Sequence, residues 1–113
     1  IADLKQQTGF SKQCIAYYDS LLMFCKKSDH ETIAFVTMNK GRAFYDVGDY
    51  KNAMDLYIKA QREFESNNLE NKDYGHLLHF IGSVFKRQSV PQKALFYYEK
   101  EWQSILLEPF YHL

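Results

Sequence analysis

The chain has 113 residues with 14 basic and 14 acidic side chains, so its formal net charge is zero, and 46% of its residues are hydrophobic. This length fits one small domain with its own core, and the charge balance does not favour nucleic acid as a partner. The longest apolar runs, such as residues 105–107, are too short to cross a bilayer. We therefore expect a single domain that binds neither nucleic acid nor a membrane.

Cysteine content and the first residues of the chain bear on its location. Two cysteines, Cys14 and Cys25, are too few for a disulfide framework, and the chain has no Asn-X-Ser/Thr glycosylation site. Residues 1–7 are polar and helical in character, unlike a secretory signal. The sequence therefore predicts a reducing, cytoplasmic environment.

Glycine and proline are scarce and lie near boundaries, and no run of β-branched residues alternates long enough for a strand. The pattern predicts an all-α chain with six helices, over residues 1–8, 11–27, 30–46, 50–66, 73–88 and 91–107. Capping boxes at 28–31 and 89–92 would begin the third and the sixth helix. Gly48-Asp49 predicts a helix break followed by an N-cap.

The sequence matches itself at an interval of about 40 residues. A shift of 41 residues relates small and aromatic positions of two segments, mapping Gly41, Phe44, Ala53 and Tyr57 onto Gly82, Phe85, Ala94 and Tyr98. A shift of 39 residues relates 9–21 less completely to 48–60. We expect one unit with a broken start, one complete unit and one nearly complete unit, over residues 1–27, 30–66 and 73–107.

The order of small and aromatic residues from Gly41 to Ala60 resembles the tetratricopeptide repeat, whose two helices pack closely around a tight turn. The resemblance implies antiparallel helix-turn-helix units stacked in a right-handed α-solenoid, with about two and a half repeats in this chain. The interval of about 40 residues, rather than the usual length of about 34, is similar to that of kinesin light chains, bacterial peptide-pheromone receptors and cell-polarity adaptors. It does not choose among them.

Repeats of this kind need stacked neighbours to bury their faces, so we expect the chain to be part of a longer array. Trp102 favours this interpretation, because a helical stripe places it beside Tyr98 and Ile105, where a next repeat would cover it. The last residues, Glu108 to Phe110, are typical of the start of a further helix.

The small residues predict a close helix crossing within each unit. Gly41 would let the following helix approach, with Ala53 as the small residue that faces it. Gly82 and Ala94 would do the same one unit later. Large aromatic residues above and below each crossing would fill the remaining space.

A second face of the third and fifth helices is distinct from the packing face and carries the candidate binding residues. In tetratricopeptide arrays the first helices of successive repeats line a concave groove, and the resemblance implies that these faces form it. The candidate groove residues are Phe35, Met38, Asn39, Arg42, Asp46, His76, His79, Phe80, Ser83, Lys86 and Arg87. Tyr45 fits the same spacing as Asp46, and Asp3, Gln6 and Gln7 would extend the wall. The alternative is that these faces are ordinary solvated surfaces.

The charge on this face indicates the kind of ligand. Arg42, Lys86 and Arg87 outnumber the acidic residues Asp46 and Asp3. Arginine can hold a carboxylate with two parallel hydrogen bonds, so a basic face of this kind suits an acidic ligand. We therefore expect a peptide or helical segment of a partner protein with acidic or amphipathic character.

One subclass of tetratricopeptide domains is tested by these positions. Domains that bind chaperones hold a terminal carboxylate in a clamp of lysine, asparagine and arginine side chains. Asn39 matches that clamp, but His76 and Phe80 stand at the positions of its last basic residues, and Asp3 is acidic where the clamp is basic. We therefore exclude a carboxylate clamp.

No motif in the chain is typical of catalysis, since it has no glycine-rich phosphate loop, no Ser/His/Asp set and no paired-carboxylate cleft. His76 and His79 share a helical face, but a pair of histidines is fewer than a zinc site uses, so we predict neither metal nor cofactor. We predict a non-enzymatic interaction module that acts as an adaptor or scaffold. A peptide-sensing domain of a signalling or transcription regulator is the alternative, and self-association through open solenoid ends is a weaker one.

Overall fold

The computed structural model describes the backbone of residues 4–111 and the side chains of residues 9–105. The described backbone forms five α-helices: α1 (Leu4–Phe24), α2 (His30–Asp46), α3 (Tyr50–Ser66), α4 (Lys72–Arg87) and α5 (Pro91–Tyr111). No residue of this backbone lies in a strand. The predicted all-α class is therefore confirmed, whereas the right-handed solenoid stays a prediction.

The predicted break between helices 1–8 and 11–27 is wrong, because α1 is continuous through Gly9 and ends at Phe24. Glycine inside a helix costs only about 1 kcal/mol relative to alanine, and no proline lies nearby to interrupt the hydrogen bonds. No other atom lies within 4 Å of the place where a Cβ of Gly9 would be, so packing does not require a break there either. Residues 1–3 lie outside the described part of the chain.

The predicted end of the last helix is also wrong, because α5 begins at Pro91 as expected but continues beyond residue 107 to Tyr111. Pro109 therefore lies in the last turn of α5 and does not begin a further helix. A proline removes one backbone donor, and the helix still closes its final turn around that missing hydrogen bond.

The turns after α2 and α4 have the same backbone geometry. After α2, Gly48 has a φ of +82°, and the N–H of Asp49 donates to the carbonyl of Phe44 over 2.9 Å. After α4, Ser89 has a φ of +60°, and the N–H of the next residue donates to the carbonyl of Phe85 over 2.9 Å. Such turns require one left-handed residue after the helix. Ser89 therefore ends α4 and is not the N-cap of α5, contrary to the prediction.

The N-caps are aspartate and asparagine side chains. Asp49 accepts a hydrogen bond from the backbone N–H of Asn52 over 3.2 Å, which confirms the predicted cap of α3. The cap of α2 is Asp29 rather than Ser28, because α2 begins at His30 and the capping residue is the one directly before it. Asn71 caps α4 by accepting from two backbone N–H groups.

The close approach predicted within each unit is present, but the group opposite each glycine is a tyrosine ring. A Cβ placed on Gly41 would lie 2.8 Å from the Cε1 atom of Tyr57. A Cβ placed on Gly82 would lie 2.7 Å from the Cε1 atom of Tyr98. Both members of the second pair follow those of the first by 41 residues. The same glycine-on-tyrosine contact therefore joins α2 to α3 and α4 to α5.

The core lies between α2, α3 and α4. The large residues with no exposed surface are Phe64, Leu77, Leu78, Ile81 and Val84. Ala53 and Ala94 are buried as predicted, but neither supplies the atoms nearest to the glycine that it was expected to face. The prediction that two small residues meet is therefore wrong in its partner, because a flat ring fills the space that each glycine leaves.

Each helix packs against the next, and α2 also contacts α4. Short turns join α2 to α3 and α4 to α5, so the helices of each pair run antiparallel. Contacts between α2 and α4 are made by Arg42 with Phe80 and by Tyr45 with Arg87, in the same order along both helices. Helices α2 and α4 therefore run parallel, side by side.

Candidate functional site

Helices α2 and α4 bring the two predicted polar stripes onto one surface. The Cζ atom of Arg42 lies 5.3 Å from the centroid of the Phe80 ring. The Nε atom of Arg87 donates a hydrogen bond to the hydroxyl of Tyr45 over 3.2 Å. Because these contacts connect the helices at successive turns, the stripe of α2 and the stripe of α4 border the same space.

This space is an open depression, named here the α2/α4 groove. Its central part has a volume of about 190 Å³, and the part nearest α5 has about 420 Å³. The groove residues are Arg42, Tyr45 and Asp46 from α2, Tyr57 from α3, His79, Phe80, Ser83, Lys86 and Arg87 from α4, and Tyr98 from α5. Arg42 and Asp46 also line a cavity of about 280 Å³ between α1 and α2, together with Asn39. The concave surface therefore extends toward α1.

The floor of the groove is aromatic and neutral. Phe80 stacks on Tyr57 with a centroid distance of 5.9 Å and an interplanar angle of 24°. Only 1% of the surface of Tyr57 is exposed. Burial raises the pKa of the Tyr57 phenol, and the carboxylate of Asp46 raises it further, so this hydroxyl stays protonated. A floor of this kind suits the apolar and aromatic parts of a peptide.

The rim of the groove carries more positive than negative charge. Arg42, Lys86 and Arg87 are exposed, and none of them forms a salt bridge with a described residue. The hydrogen bond with Tyr45 raises the pKa of Arg87, so its guanidinium stays charged. Asp46 supplies a negative charge and is likewise unpaired within the described residues. The rim therefore offers its charges to a ligand or to solvent.

Helix α5 forms one wall of the groove and orients His79. The Nδ1 atom of His79 lies 3.1 Å from Oε2 of Glu101, and its ring lies 5.5 Å from the ring of Tyr98. The hydroxyl of Ser83 donates to the carbonyl of His79 over 3.0 Å and lies 3.5 Å from the hydroxyl of Tyr98. These contacts place an imidazole and two hydroxyl groups along one edge of the groove.

Not all predicted groove residues lie in the groove. Met38 is only 3% exposed and belongs to the core, so its prediction was wrong, because α4 packs beside α2 and covers that side. Phe35 is 45% exposed but lines none of the cavities described above. His76 lines a separate cavity of about 230 Å³ between the start of α4 and α5. Asp3 and the side chains of Gln6 and Gln7 lie outside the described residues.

Three tyrosines contribute to the groove beyond the prediction, at positions 45, 57 and 98. The spacing of three residues from Arg42 already placed Tyr45 on the same face. The other two are the rings that pack on Gly41 and Gly82, so their outer edges reach the groove through the close helix crossings. The repeat of the glycine and tyrosine pairs was the signal from which both positions follow.

Comparisons of the chain with protein-family models, with curated proteins and with solved structures found no match. Within the described part of the chain, no three His, Cys, Asp or Glu side chains come together as a group that would hold a metal ion. None of the described helices has both the length and the apolar character needed to cross a membrane. The groove itself is therefore the basis for a functional proposal.

Proposed function

We propose that this chain is a protein-interaction module of the tetratricopeptide type, which binds a peptide or a helical segment of a partner in the α2/α4 groove and acts as an adaptor or scaffold. The observation that carries the proposal is the groove itself. It is an open surface between two parallel helices, with an aromatic floor and with charged side chains that have no described partner.

The repeated contacts support the tetratricopeptide part of the proposal. Glycine packs on tyrosine in both helix pairs, and the turns after α2 and α4 share one hydrogen-bonding pattern. Two units built in the same way and placed side by side bring their first helices together, as α2 and α4 are here. In an array of such units, the wall formed by first helices would lengthen with each unit.

The chemistry of the groove supports a peptide as the ligand. The ring of Phe80 on the floor offers apolar contact, whereas Arg42, Asp46 and Lys86 on the rim offer charged contacts. Peptides present both kinds of group at short intervals, and a helical ligand presents them at positions three and four apart. The excess of cations favours a ligand with acidic side chains.

We expect a bulky residue at the centre of the groove to abolish partner capture. Ser83 is suited to this test because its hydroxyl bonds to its own helix, so the change Ser83→Trp fills the groove without removing a bond between α2 and α4. A matched control is Asp55→Trp, at an exposed position of α3. The measurement is capture of partners from lysate by immobilised protein, with thermal unfolding to verify that each variant is folded.

Loss of the captured partner with Ser83→Trp but not with Asp55→Trp would support the groove as the binding site. If a folded Ser83→Trp variant captures the same partners as the parent protein, binding occurs elsewhere and the proposal fails. Loss with Asp55→Trp alone would assign binding to the exposed side of α3.

A second candidate function, self-association, is favoured by apolar side chains on the first and last helices. Phe24 on α1 is 84% exposed, and Trp102 on α5 is 63% exposed. Phe10, Tyr17, Met23, Leu95, Phe96 and Ile105 are also exposed large hydrophobic residues on these helices. Exposed apolar surface of this kind is typical of contacts with another protein surface.

If copies of the chain associate through α5, the weight-average mass in sedimentation experiments will rise with protein concentration. The change Trp102→Gln should reduce that rise, because it removes a large apolar contact while keeping the helix. Gln103→Ala, at the adjacent exposed position, is the control. A parent protein that stays monomeric over the full concentration range contradicts self-association.

A further inference from the structure

The part of the α2/α4 groove nearest α5 has a composition that differs from the rest of the groove. This part is lined by Tyr45, His79, Ser83, Lys86, Arg87 and Tyr98 and has a volume of about 420 Å³. Every one of these side chains has a hydrogen-bond donor, and none is a carboxylate. Two are cations without a salt bridge to any described residue. A cavity of donors with a net positive charge is chemically an anion site.

We propose that this end of the groove is an anion subsite, formed by Tyr45, Ser83, Lys86 and Arg87, which takes a phosphorylated serine or threonine side chain of the bound peptide. The inference rests on the proposed function, because it names the chemical group by which a partner peptide is recognised. It adds a ligand class that the mixed character of the whole groove does not specify.

The donors of the subsite are arranged toward the cavity. The hydrogen bond from Nε of Arg87 to Tyr45 fixes the guanidinium at the edge, and no described residue accepts from its other N–H groups. The hydroxyls of Ser83 and Tyr98 lie 3.5 Å apart on the opposite side. An anion between these sides would receive hydrogen bonds from α2, α4 and α5 together.

A phosphate monoester fits these donors better than a carboxylate does. At neutral pH it carries close to two negative charges and three terminal oxygens, each of which accepts hydrogen bonds. Two cations and several hydroxyl groups match that charge and that number of acceptors. A single carboxylate would leave part of the donor set unused, so the surplus of donors favours the phosphorylated side chain.

Nearby negative groups oppose binding but are largely engaged. The carboxylate of Glu101 is paired with Nδ1 of His79 over 3.1 Å. Asp46 lines the central part of the groove and not this end. The carbonyl groups at the ends of α2 and α4 carry partial negative charge, but those of Tyr45 and Lys86 accept hydrogen bonds from the turns that follow. The cations therefore dominate the end of the groove.

The test is a titration of the isotope-labelled chain, followed by two-dimensional NMR, with the single amino acid N-acetyl-O-phosphoserine amide. N-acetylserine amide and N-acetylglutamate amide are the neutral and the carboxylate comparison. We expect saturable shifts of the amide signals around Tyr45, Ser83, Lys86 and Arg87 with the phosphorylated probe, and weaker or no binding of the other two. The double variant Lys86→Gln, Arg87→Gln should weaken binding by about tenfold or more, because each charge-assisted hydrogen bond contributes about 1.5–3 kcal/mol.

The matched control is Lys51→Gln, Lys59→Gln, which removes the same charge from exposed positions of α3 and should leave the affinity unchanged. Equal binding of the glutamate probe, shifts spread over the whole surface, or full binding by the Lys86, Arg87 double variant would each overturn the subsite. Phosphatase treatment of the lysate separates this inference from the proposed function. Capture that depends on the groove but survives phosphatase leaves the proposed function standing and removes the phosphate. If capture does not depend on the groove, the proposed function fails, and the titration alone decides the subsite.

Discussion

Replacing Gly41 with alanine will lower the stability of the protein, although the same change inside a helix normally raises it by about 1 kcal/mol. The added Cβ would lie 2.8 Å and 2.9 Å from two ring atoms of Tyr57 and 3.2 Å from Cβ of Leu56. Tyr57 is buried and stacks on Phe80, so its ring has no room to move away. Overpacking of this kind costs about 1–3 kcal/mol, which outweighs the gain in helix propensity.

The other glycines provide comparisons for Gly41→Ala. Gly82→Ala creates a contact of 2.7 Å with Tyr98, but Tyr98 is partly exposed and its ring can shift, so we expect a smaller loss. Gly75→Ala in α4 meets no atom within 4 Å and should be stabilising. Urea unfolding followed by circular dichroism measures all three free energies of unfolding. If Gly41→Ala and Gly75→Ala shift stability in the same direction, the close crossing at Tyr57 does not exist.

The sequence predicted those parts of the fold that depend on repeated spacing. Gly41 and Tyr57 recur as Gly82 and Tyr98 because each helix pair must solve the same packing problem. A pattern seen twice is unlike a chance match, so the boundaries of α2 and α3 were predicted correctly. Gly9 had no such support, since its match to Gly48 did not come with the turn that makes Gly48 necessary.

The groove was predictable only in part, because a helix pattern identifies faces but not their neighbours. Arg42 and Ser83 were placed on a shared surface through the resemblance to known repeats. Met38 was misplaced, because its stripe does not reveal that α4 covers that side of α2. The contribution of α5, through Tyr98 and Glu101, depends on the geometry of the helix crossing and not on the pattern of α2 and α4.

Replacing Arg42 with alanine will weaken partner binding by about 2–5 kcal/mol while changing folding stability little. Arg42 lines both the central groove and the cavity toward α1, so a ligand along the surface passes its guanidinium. Its contact with the Phe80 ring is at an exposed site, where a cation over an aromatic ring contributes about 0.5–1 kcal/mol. Calorimetric titration of the captured partner and thermal unfolding measure the two effects separately.

The comparison with two further variants identifies what Arg42 does. Arg42→Lys keeps the charge but loses the planar fork that holds a carboxylate or phosphate with two hydrogen bonds, so we expect intermediate affinity. Lys59→Ala, at an exposed position of α3, removes a charge away from the groove and should leave affinity unchanged. If Lys59→Ala weakens binding and Arg42→Ala does not, the partner binds on the side of α3. Equal affinity of Arg42→Lys and the parent protein would mean that charge alone, and not geometry, attracts the ligand to this part of the surface.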